Sequence, residues 1–584
     1  MDCHLHSPAP VARPPPVYSP EKSAYLNYVT SESSTPEHTF ASLSSFPSHH
    51  KAIKFGRGRY SDIELVPQPS DDPRDPLNWS QLRKNLSLAP LLIIVGLVGA
   101  MKTAFVTTGG AMAAHYRVSY TAIAALTAVP VIIASLTGFL SSVAAKLWGK
   151  RPVYMASTVL LVIGSIWNCT ATNSYSSCMG ARALQGLGWG AFDTLVMASI
   201  RDMYYEHERN MPMSVYNIVS ITTTWGFPLI GGVASRNTTS FTVQFIIISA
   251  FFLPAIPLFA LCASETAFDR SMAVTPPPPA PGFGGGPPWR PWRFRHRFNR
   301  ETIAQYVRDN VRPFSFAGPK TLPTLLQTPR ALFAPTTCLL FLLSSISHGT
   351  LWGLSMSNAL LVTPLPLALD AANIGTLMTG PWMVGAAVVG GFCFYNVYFH
   401  KFTGKVTYAI VAAGTFLVLI GLLTFGLGLD NFMTHQASSP NRFFISEAAS
   451  QISLPLLSLQ LGTLAGGLYT FDAAIRPLLA RSASFTSSSI AVAQRSIGDM
   501  HAGVVVLRGI AAGIFILCMP TAIAQAGGLK AATLALAIAQ VLIAAAAVCL
   551  WRFCDETIWR ADGKAMGLVD LRLLKQSTSF FDHD

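Results

Sequence analysis

Long, nearly uncharged apolar runs constrain this chain more than any other feature of its sequence. The stretches LAPLLIIVGLVGAM, FTVQFIIISAFFLPAIPLFALCA, TYAIVAAGTFLVLIGLLTFGLGL and AATLALAIAQVLIAAAAVCL approach or exceed the length of helix, roughly 20 residues, that crosses the hydrocarbon of a bilayer. Only 12% of the 584 residues are charged, whereas about 25% are charged in an average soluble domain. The sequence therefore predicts an all-α integral membrane protein with many spans.

The apolar runs divide the chain into two halves of six spans each. The predicted spans are 86–108, 121–145, 153–171, 177–199, 213–234 and 241–263 in the first half, then 333–357, 374–398, 406–428, 453–475, 500–523 and 530–553. Two six-helix bundles joined by a long loop are typical of secondary transporters. The predicted regions are a disordered cytoplasmic N-terminal region (1–84), an N-terminal bundle (85–265), a basic Pro/Gly-rich cytoplasmic linker (266–331), a C-terminal bundle (332–554) and a cytoplasmic tail (555–584).

The positive charge of the chain is distributed over the loops. The formal net charge is +13, and with a cytoplasmic N-terminus almost all loop Lys and Arg residues fall on the inner side, as topology rules require. We therefore expect both termini in the cytoplasm, a lipid bilayer rather than nucleic acid as the partner of the basic residues, and a monomer in the plasma membrane.

The nine cysteines show no spacing typical of a metal site. We expect no metal and no cofactor, with a proton gradient as the energy source. Cys169 and Cys178 flank a short loop, and the spacing leaves open whether they are free thiols or a disulfide.

The fourth span carries two charges on one helical face. Arg182, Gln185, Gly186, Trp189 and Asp193 share that face by helical periodicity. Charges within hydrocarbon are costly and usually face a polar interior, so the stripe indicates a water-accessible path. An alternative interpretation gives Arg182 a structural role, bonded to backbone carbonyls.

Four residues are candidates for proton coupling. Asp193 is the leading one, because desolvation raises the pKa of a carboxyl group, and Arg182 would tune it. Asp472 ends a glycine-aromatic run, GGLYTFD, that resembles GWGAFD before Asp193. His348 would titrate near neutral pH. For each of them, a helix cap, an ion pair or a packing hydrogen bond is the alternative.

Large amphipathic or polar side chains in the spans are candidates for the substrate cavity. They are Lys102, Gln185, Trp189, Phe192, Gln244, Trp352, Asn358, Trp382 and Tyr469. Lys102 would attract an anionic group, pair with an acid or extend toward the membrane surface, and Arg508 would anchor its helix.

Four stretches give the chain a family resemblance. DPRDPLNWSQLRK (72–84), KLWGKRPVY (146–154), RALQG (182–186) with IRDMYYEHERN (200–210), and SETAFDR (264–270) resemble, in this order, signatures of fungal major facilitator superfamily transporters of the twelve-span drug:proton antiporter group. The resemblance implies the major facilitator fold and alternating access between two bundles. It also implies a proton-transfer role for Arg182.

The same resemblance implies that Gly149, Lys150 and Arg151 form a gating loop at the cytoplasmic face. The sequence departs from the family pattern where Lys146 and Leu147 replace the usual acid and arginine. It departs again where Phe227 replaces the glycine before Pro228. The conformational role of the missing acid and the direction of transport are therefore open.

Three functions are compatible with these features. The first is proton-coupled export of small amphipathic molecules such as drugs, toxins or secondary metabolites. The second is proton-coupled or facilitative uptake of a nutrient or polyamine, and the third is a non-transporting membrane sensor on the same scaffold. The sequence contains no GxSxG, HExxH or Walker motif, so we do not expect an enzyme.

Overall fold

The computed structural model describes the chain in segments that cover the bundles. They are residues 54–56, 64–70, 72, 74–171, 173–238, 241–268, 316, 322–363, 367, 369–399, 404–438, 453–486, 490–525 and 528–567. The helices of these residues are α1 (Gln81–Thr103), α2 (Gly109–Tyr116), α3 (Tyr120–Trp148), α4 (Lys150–Thr170), α5 (Tyr175–Met203), α6 (Asn210–Thr238), α7 (Thr242–Cys262), α8 (Leu322–Leu332), α9 (Pro335–Val362), α10 (Ala371–Leu377), α11 (Thr379–Phe399), α12 (Gly404–Ser438), α13 (Leu454–Thr486), α14 (Ile490–Gln525), α15 (Leu529–Phe553) and α16 (Asp555–Met566).

The long helices form the predicted all-α membrane fold with two six-helix bundles. Helices α1 and α3 to α7 build the first bundle; α9 and α11 to α15 build the second. Ten helical segments of the described residues are long and apolar enough to cross a membrane. Helices α5 and α13 fall outside that set, because glycines, charged residues and polar residues interrupt their apolar character.

The alternating glycines of α5 allow α3 to pack against it at close range. A Cβ atom added to Gly186 would lie 2.6 Å from the carbonyl oxygen of Pro130, and one added to Gly190 would collide with the backbone of α3 at Gly138. Backbones that approach so closely leave no room for side chains between them, a common feature of membrane helix pairs. The glycines therefore fix α5 inside the first bundle.

The two bundles meet mainly along three helix pairs. Helix α3 packs against α14, and α6 packs against α10 and α11. The second pair is close as well, because the backbone of α6 at Pro228 lies against Gly375 of α10. These pairs frame the interface at which the functional residues gather.

The first bundle begins earlier in the chain than the sequence predicts. Helix α1 begins at Gln81, where the Ser80 hydroxyl accepts a hydrogen bond from the backbone N–H of Arg83, so the first bundle starts before residue 85. The preceding segment is ordered where it is described, because the buried Asp75 caps a 3-10 helix and accepts hydrogen bonds from Ser70. Most of the predicted linker (266–331) lies outside the described residues.

Cys169 and Cys178 are free thiols, so the disulfide alternative is not realised. The Cys169 sulfur lies 3.2 Å from the Ser249 hydroxyl, and the Cys178 thiol donates to Asn168 Oδ1 over 3.5 Å. Each sulfur therefore has a polar neighbour of its own.

Helix α16 belongs to the predicted tail, yet it docks on the second bundle through a buried acid. Asp562 is 1% exposed and accepts hydrogen bonds from the Ser482 hydroxyl (2.6 Å) and from the backbone N–H (2.9 Å) and hydroxyl of Thr336. Burial raises the pKa of the Asp562 carboxyl, although the hydrogen bonds act in the opposite direction. This carboxyl joins α9, α13 and α16.

Replacing Asp562 by Ala should lower the melting temperature of the purified protein by several degrees. The substitution leaves the Thr336 and Ser482 donors unpaired, and each buried donor without a partner costs about 1–3 kcal/mol. Glu556→Ala on the same helix is the control, because its pair with Arg560 is exposed and exposed pairs contribute only about 0–1 kcal/mol. Equal melting temperatures for the two variants would show that Asp562 does not anchor α16.

Candidate transport site

The first bundle contributes an acid–base pair at the interface. Lys102 of α1 donates to both carboxylate oxygens of Asp193 on α5, each over 2.7 Å. The side chains are not sealed, because 16% of Lys102 and 30% of Asp193 remain exposed. Two charges with a water-accessible side suit the wall of a passage better than a lipid face. Of the alternatives for Lys102, the structure therefore shows the pair with an acid.

The second bundle contributes a matching pair. Arg508 of α14 donates to Asp472 of α13 over 2.7 Å, and their side chains are 10% and 30% exposed. Arg508 is thus an ion-pair partner in addition to any anchoring role. A further cation, the half-buried Arg476, lies one turn beyond Asp472 and contacts the sulfur atoms of Met213 and Met197 in the first bundle.

The two pairs belong to one electrostatic cluster that spans both bundles. Tyr216 of α6 interacts electrostatically with Asp193 and with Arg476. His348 of α9 interacts in the same way with Lys102 and Arg508. His348 therefore lies within electrostatic reach of both pairs, and Tyr216 lies within reach of Asp193 and of Arg476.

An aromatic cluster lies between the bundles next to these charges. The rings of Trp225 and Trp352 are 5.0 Å apart, and Trp225 Nε1 donates to the Tyr469 hydroxyl over 2.8 Å. Trp382 Nε1 donates to Thr222 of α6 over 3.2 Å. Trp352, Trp382 and Tyr469 were predicted, but Trp225 was missed, although it lies two residues before Phe227, a position where the sequence departs from the family pattern.

Arg182 lies elsewhere, inside the first bundle. It is fully buried, donates to the carbonyl oxygens of Leu126 (3.0 Å) and Met101 (2.9 Å), and donates to Gln185 Oε1 over 3.0 Å. Its guanidinium stacks over the Phe105 and Trp189 rings at 4.5 and 4.9 Å. Arg182 does not face the interface in this conformation, so the sequence-based picture of one stripe along a single wet path does not hold for it.

The remaining cavity candidates separate into two groups. Trp189 lies between Lys102 and Arg182. Lys102 Nζ is 5.9 Å from the centre of its ring, and the Arg182 guanidinium lies over the same ring. Gln185, Phe192 and Gln244 lie inside the first bundle: Gln185 donates to Gly164, Phe192 packs on Tyr154, and Gln244 donates to Thr107 and Ser235. Asn358 is fully buried on α9, and neither of its amide atoms has a hydrogen-bond partner in the described part of the chain.

The predicted gating loop is held by an acid that sequence reasoning overlooked. Gly149 has φ +91°, and Glu265 accepts hydrogen bonds from the backbone N–H groups of Lys150 (3.1 Å) and Arg151 (2.9 Å). Burial raises the pKa of the Glu265 carboxyl against the effect of these bonds. Lys150 Nζ also pairs with Asp202 over 2.6 Å. The stretches KLWGKRPVY, IRDMYYEHERN and SETAFDR thus form one structural unit.

Lys146 supplies a charge that links the bundles. Its ammonium donates to Asp499 of α14 over 2.8 Å, and the other Asp499 oxygen accepts from Thr328 over 3.1 Å. The pair is only 20% and 8% exposed. The family pattern has an acid here, whereas this chain places a base on α3 and the acid on the opposite bundle.

The chain belongs to the Major Facilitator Superfamily, whose family model matches residues 91–439. It is 30% identical over 229 residues to an uncharacterized MFS-type transporter of Schizosaccharomyces pombe, which covers 39% of this chain and 38% of the relative. It is 33% identical to the MFS-type efflux transporter ffsH of Aspergillus flavipes over 25% of this chain and 23% of the relative. It is 28% identical to Polyamine transporter 3 of Saccharomyces cerevisiae over 32% of this chain and 30% of the relative. Each match thus spans well under half of the relative's length.

Charge reversal at the Lys146–Asp499 pair should show energetic coupling across the bundles. Lys146→Asp or Asp499→Lys alone should lower the melting temperature by a few degrees, because each places like charges together in a mostly buried site. The double variant should recover most of that loss, with a coupling energy of about 0.5–3 kcal/mol in a double-mutant cycle. The exposed pair Glu556–Arg560, reversed in the same way, is the control. Additive effects of the two reversals would contradict a direct interaction.

Proposed function

We propose that the protein is a proton-coupled exporter of small amphipathic molecules that works by alternating access. One observation carries the proposal: each bundle places an acid–base pair, Lys102–Asp193 or Asp472–Arg508, at a partly exposed position within the membrane. A carrier that exchanges a proton for a substrate needs an acid that water reaches from one side at a time. The efflux transporter among the relatives supports the export direction.

Asp193 is the proposed proton carrier. Lys102 takes the role of tuning this carboxyl, which the sequence analysis expected of Arg182. Both carboxylate oxygens of Asp193 accept hydrogen bonds from Lys102 in the observed arrangement. In the proposed cycle, protonation from the outer side neutralises Asp193 and breaks the pair, and release of the proton on the inner side allows the pair to form again. Asp472, Arg508 and His348 form the second part of the same proton-coupling cluster.

The substrate chemistry follows from the aromatic cluster and from an excess of positive charge. Aromatic walls bind flat or amphipathic molecules with few polar contacts. Among the described residues of the cluster, three cations, Lys102, Arg476 and Arg508, lie near two acids, Asp193 and Asp472. Arg201 adds a further cation beside Arg476, together with its own neighbour Asp202. Neutral or anionic amphiphiles therefore fit the site better than polycations.

Uptake of a polyamine is the second candidate, favoured by the polyamine transporter among the relatives. It requires the two acids to bind the substrate in place of their present partners. A membrane sensor on the same scaffold is the third. The charge distribution over the loops supports cytoplasmic termini, and the proposal also includes the plasma membrane and a monomeric state.

Flux through the purified protein in proteoliposomes tests the proposal. A pooled set of neutral, anionic and cationic amphiphiles, together with spermidine, is loaded on one side under a pH gradient of either sign. We expect gradient-dependent export of neutral or anionic members. Gradient-driven spermidine flux alone would support the polyamine transporter, and the absence of gradient-dependent flux for every compound would support the sensor.

Asp193→Asn should reduce the gradient-dependent flux by roughly tenfold or more, because an amide side chain cannot take up and release the proton that the exchange requires. The double variant Lys102→Met with Asp193→Asn removes the pair without leaving a charge, so it should be as stable as the wild type yet remain uncoupled. Glu556→Gln is the control for loss of an exposed acid. A normal pH-gradient response in Asp193→Asn would reject this acid as the proton carrier.

A further inference from the structure

Two arginines and a histidine meet between the bundles, beyond the two acid–base pairs. Arg201 comes about two turns after Asp193 on α5, and Arg476 comes about one turn after Asp472 on α13. Arg201 interacts electrostatically with Arg476, and His501 of α14 interacts in the same way with both arginines. Each of these three side chains, here called the cationic cluster, is therefore within electrostatic reach of the other two.

Arg476 reaches from the second bundle into the first. Its Nη1 atom lies 3.1 Å from the sulfur of Met213 on α6, and its Nη2 atom lies 3.6 Å from the sulfur of Met197 on α5. Met197 and Arg201 are four residues apart, so they are neighbours on one face of α5. The guanidinium of Arg476 consequently lies beside the face of α5 that carries Arg201.

Arg201 reaches in the opposite direction, from the first bundle to the second. A Cβ atom added to Gly498 of α14 would lie 3.6 Å from Arg201 Nη1. Gly498 and His501 are three residues apart, so they share one face of α14. The guanidinium of Arg201 therefore lies against the face that carries His501, and the side chains of the cationic cluster converge between α5, α13 and α14.

The carboxylates near this cluster are bonded to other cations. Asp472 pairs with Arg508 over 2.7 Å, and Asp202 pairs with Lys150 over 2.6 Å. Within the described part of the chain, no ion pair joins a carboxylate to either arginine of the cluster. Like charges in a mostly buried place are costly, so an added negative charge would be favourable there.

The guanidinium of Arg476 also has poor hydrogen-bond acceptors. Its contacts with the two methionines involve thioether sulfurs, which accept hydrogen bonds only weakly. Methionine side chains are flexible and repack easily, so a ligand with better acceptors can displace them. Arg201 is 9% exposed, and Arg476 and His501 are half-buried. The cationic cluster therefore borders space that solvent reaches, unlike the fully buried Arg182.

We propose that the cationic cluster binds the carboxylate group of an anionic amphipathic ligand. The carboxylate oxygens accept hydrogen bonds from Arg201 and Arg476 of opposite bundles, because guanidinium groups match the geometry of carboxylates. His501 supplies a further donor. Treating this ligand as the exported substrate rests on the proposed function, whereas the anion site itself does not.

The aromatic cluster limits the shape of such a ligand. Tyr469 comes seven residues before Arg476 on α13, which places the two on one face of the helix and about 10 Å apart along it. An aromatic ring system that carries a carboxylate on a short chain can therefore contact both clusters. The ring packs against the aromatic side chains while the carboxylate reaches the arginines.

A charge-matched series of ligands tests the site in the full-length protein in nanodiscs. Naphthylacetate, the neutral naphthylacetamide and the cationic naphthylethylamine are each titrated into the millimolar range while the melting temperature is followed. A ligand that binds only the folded protein raises its stability by mass action. We expect naphthylacetate to bind roughly tenfold more tightly than the amide, and the amine to bind most weakly. No preference for the carboxylate over the amide would overturn the proposal.

Variants assign the preference to the cationic cluster. Arg476→Gln should abolish the preference for naphthylacetate over the amide, whereas Arg476→Lys, which keeps the charge, should retain part of it. Arg481→Gln on the same helix is the control, because Arg481 is 52% exposed and pairs with Asp555. A full preference for the carboxylate in Arg476→Gln would place the anion site elsewhere.

A structure of the wild type with bound naphthylacetate locates the carboxylate without any substitution. We expect its oxygens within hydrogen-bond distance of Arg201 and Arg476, and a carboxylate bound elsewhere would overturn the proposal.

The binding measurement needs no pH gradient, so its outcome is separate from that of the flux experiment. Carboxylate preference without gradient-dependent flux would support the anion site and reject the exporter. Gradient-dependent export of neutral amphiphiles without carboxylate preference would support the exporter and reject the anion site.

Discussion

The energetic cost of a charge within a bilayer determines how this molecule is built. A charge at hydrocarbon depth is stable only with a partner or with access to water. The Lys102–Asp193 and Asp472–Arg508 pairs have both, because each joins opposite charges and keeps part of the carboxylate exposed. Arg182 is fully buried and has no carboxylate partner among the described residues, and carbonyl oxygens and aromatic faces surround its guanidinium instead. The two solutions divide these charged residues into paired, partly exposed residues at the interface and a buried residue of the scaffold.

Helices pack closely both within the first bundle and at the interface, but the interface adds polar contacts between the bundles. Within the first bundle, Gly186 and Gly190 bring α5 against the backbone of α3, and a larger residue at either position would separate the helices. Contacts of this kind resist sliding, because packed interiors tolerate little change in volume. Between the bundles, the described contacts include ion pairs and single hydrogen bonds, such as Lys146–Asp499 and Trp225–Tyr469, which can break and re-form. Rigid bundles with a polar interface are what alternating access requires.

Helix number and the family could be predicted from the sequence because they follow from local properties. Apolar length gives the spans, and short ordered motifs give the resemblance. The hydrogen-bond and ion-pair partners of individual side chains could not be predicted in the same way, because they depend on which helices pack against each other. Helical periodicity placed Arg182 and Asp193 on one face of α5, but α5 packs against several helices, so the Arg182 end is sealed by α1 and α3 while Asp193 reaches the interface. Asp499 and Glu265 lie far in sequence from the loop residues they bind, and only Glu265 had a signal, the quoted stretch SETAFDR.

Lys146 replaces the acid of the family pattern, and it forms an ion pair with Asp499 across the two bundles. The interface at the end that holds Lys146 depends on an attraction between α3 and α14, and Coulomb energy is unchanged when both charges change sign. At the other end, Arg236 of α6 pairs with Asp370 before α10 at 3.2 Å, again across the bundles, but both side chains are more exposed there. Exposed pairs are weak and solvent-screened, whereas half-buried pairs are stronger. The Lys146–Asp499 pair is therefore the more costly of the two to break, because separating it leaves charges in a mostly buried site.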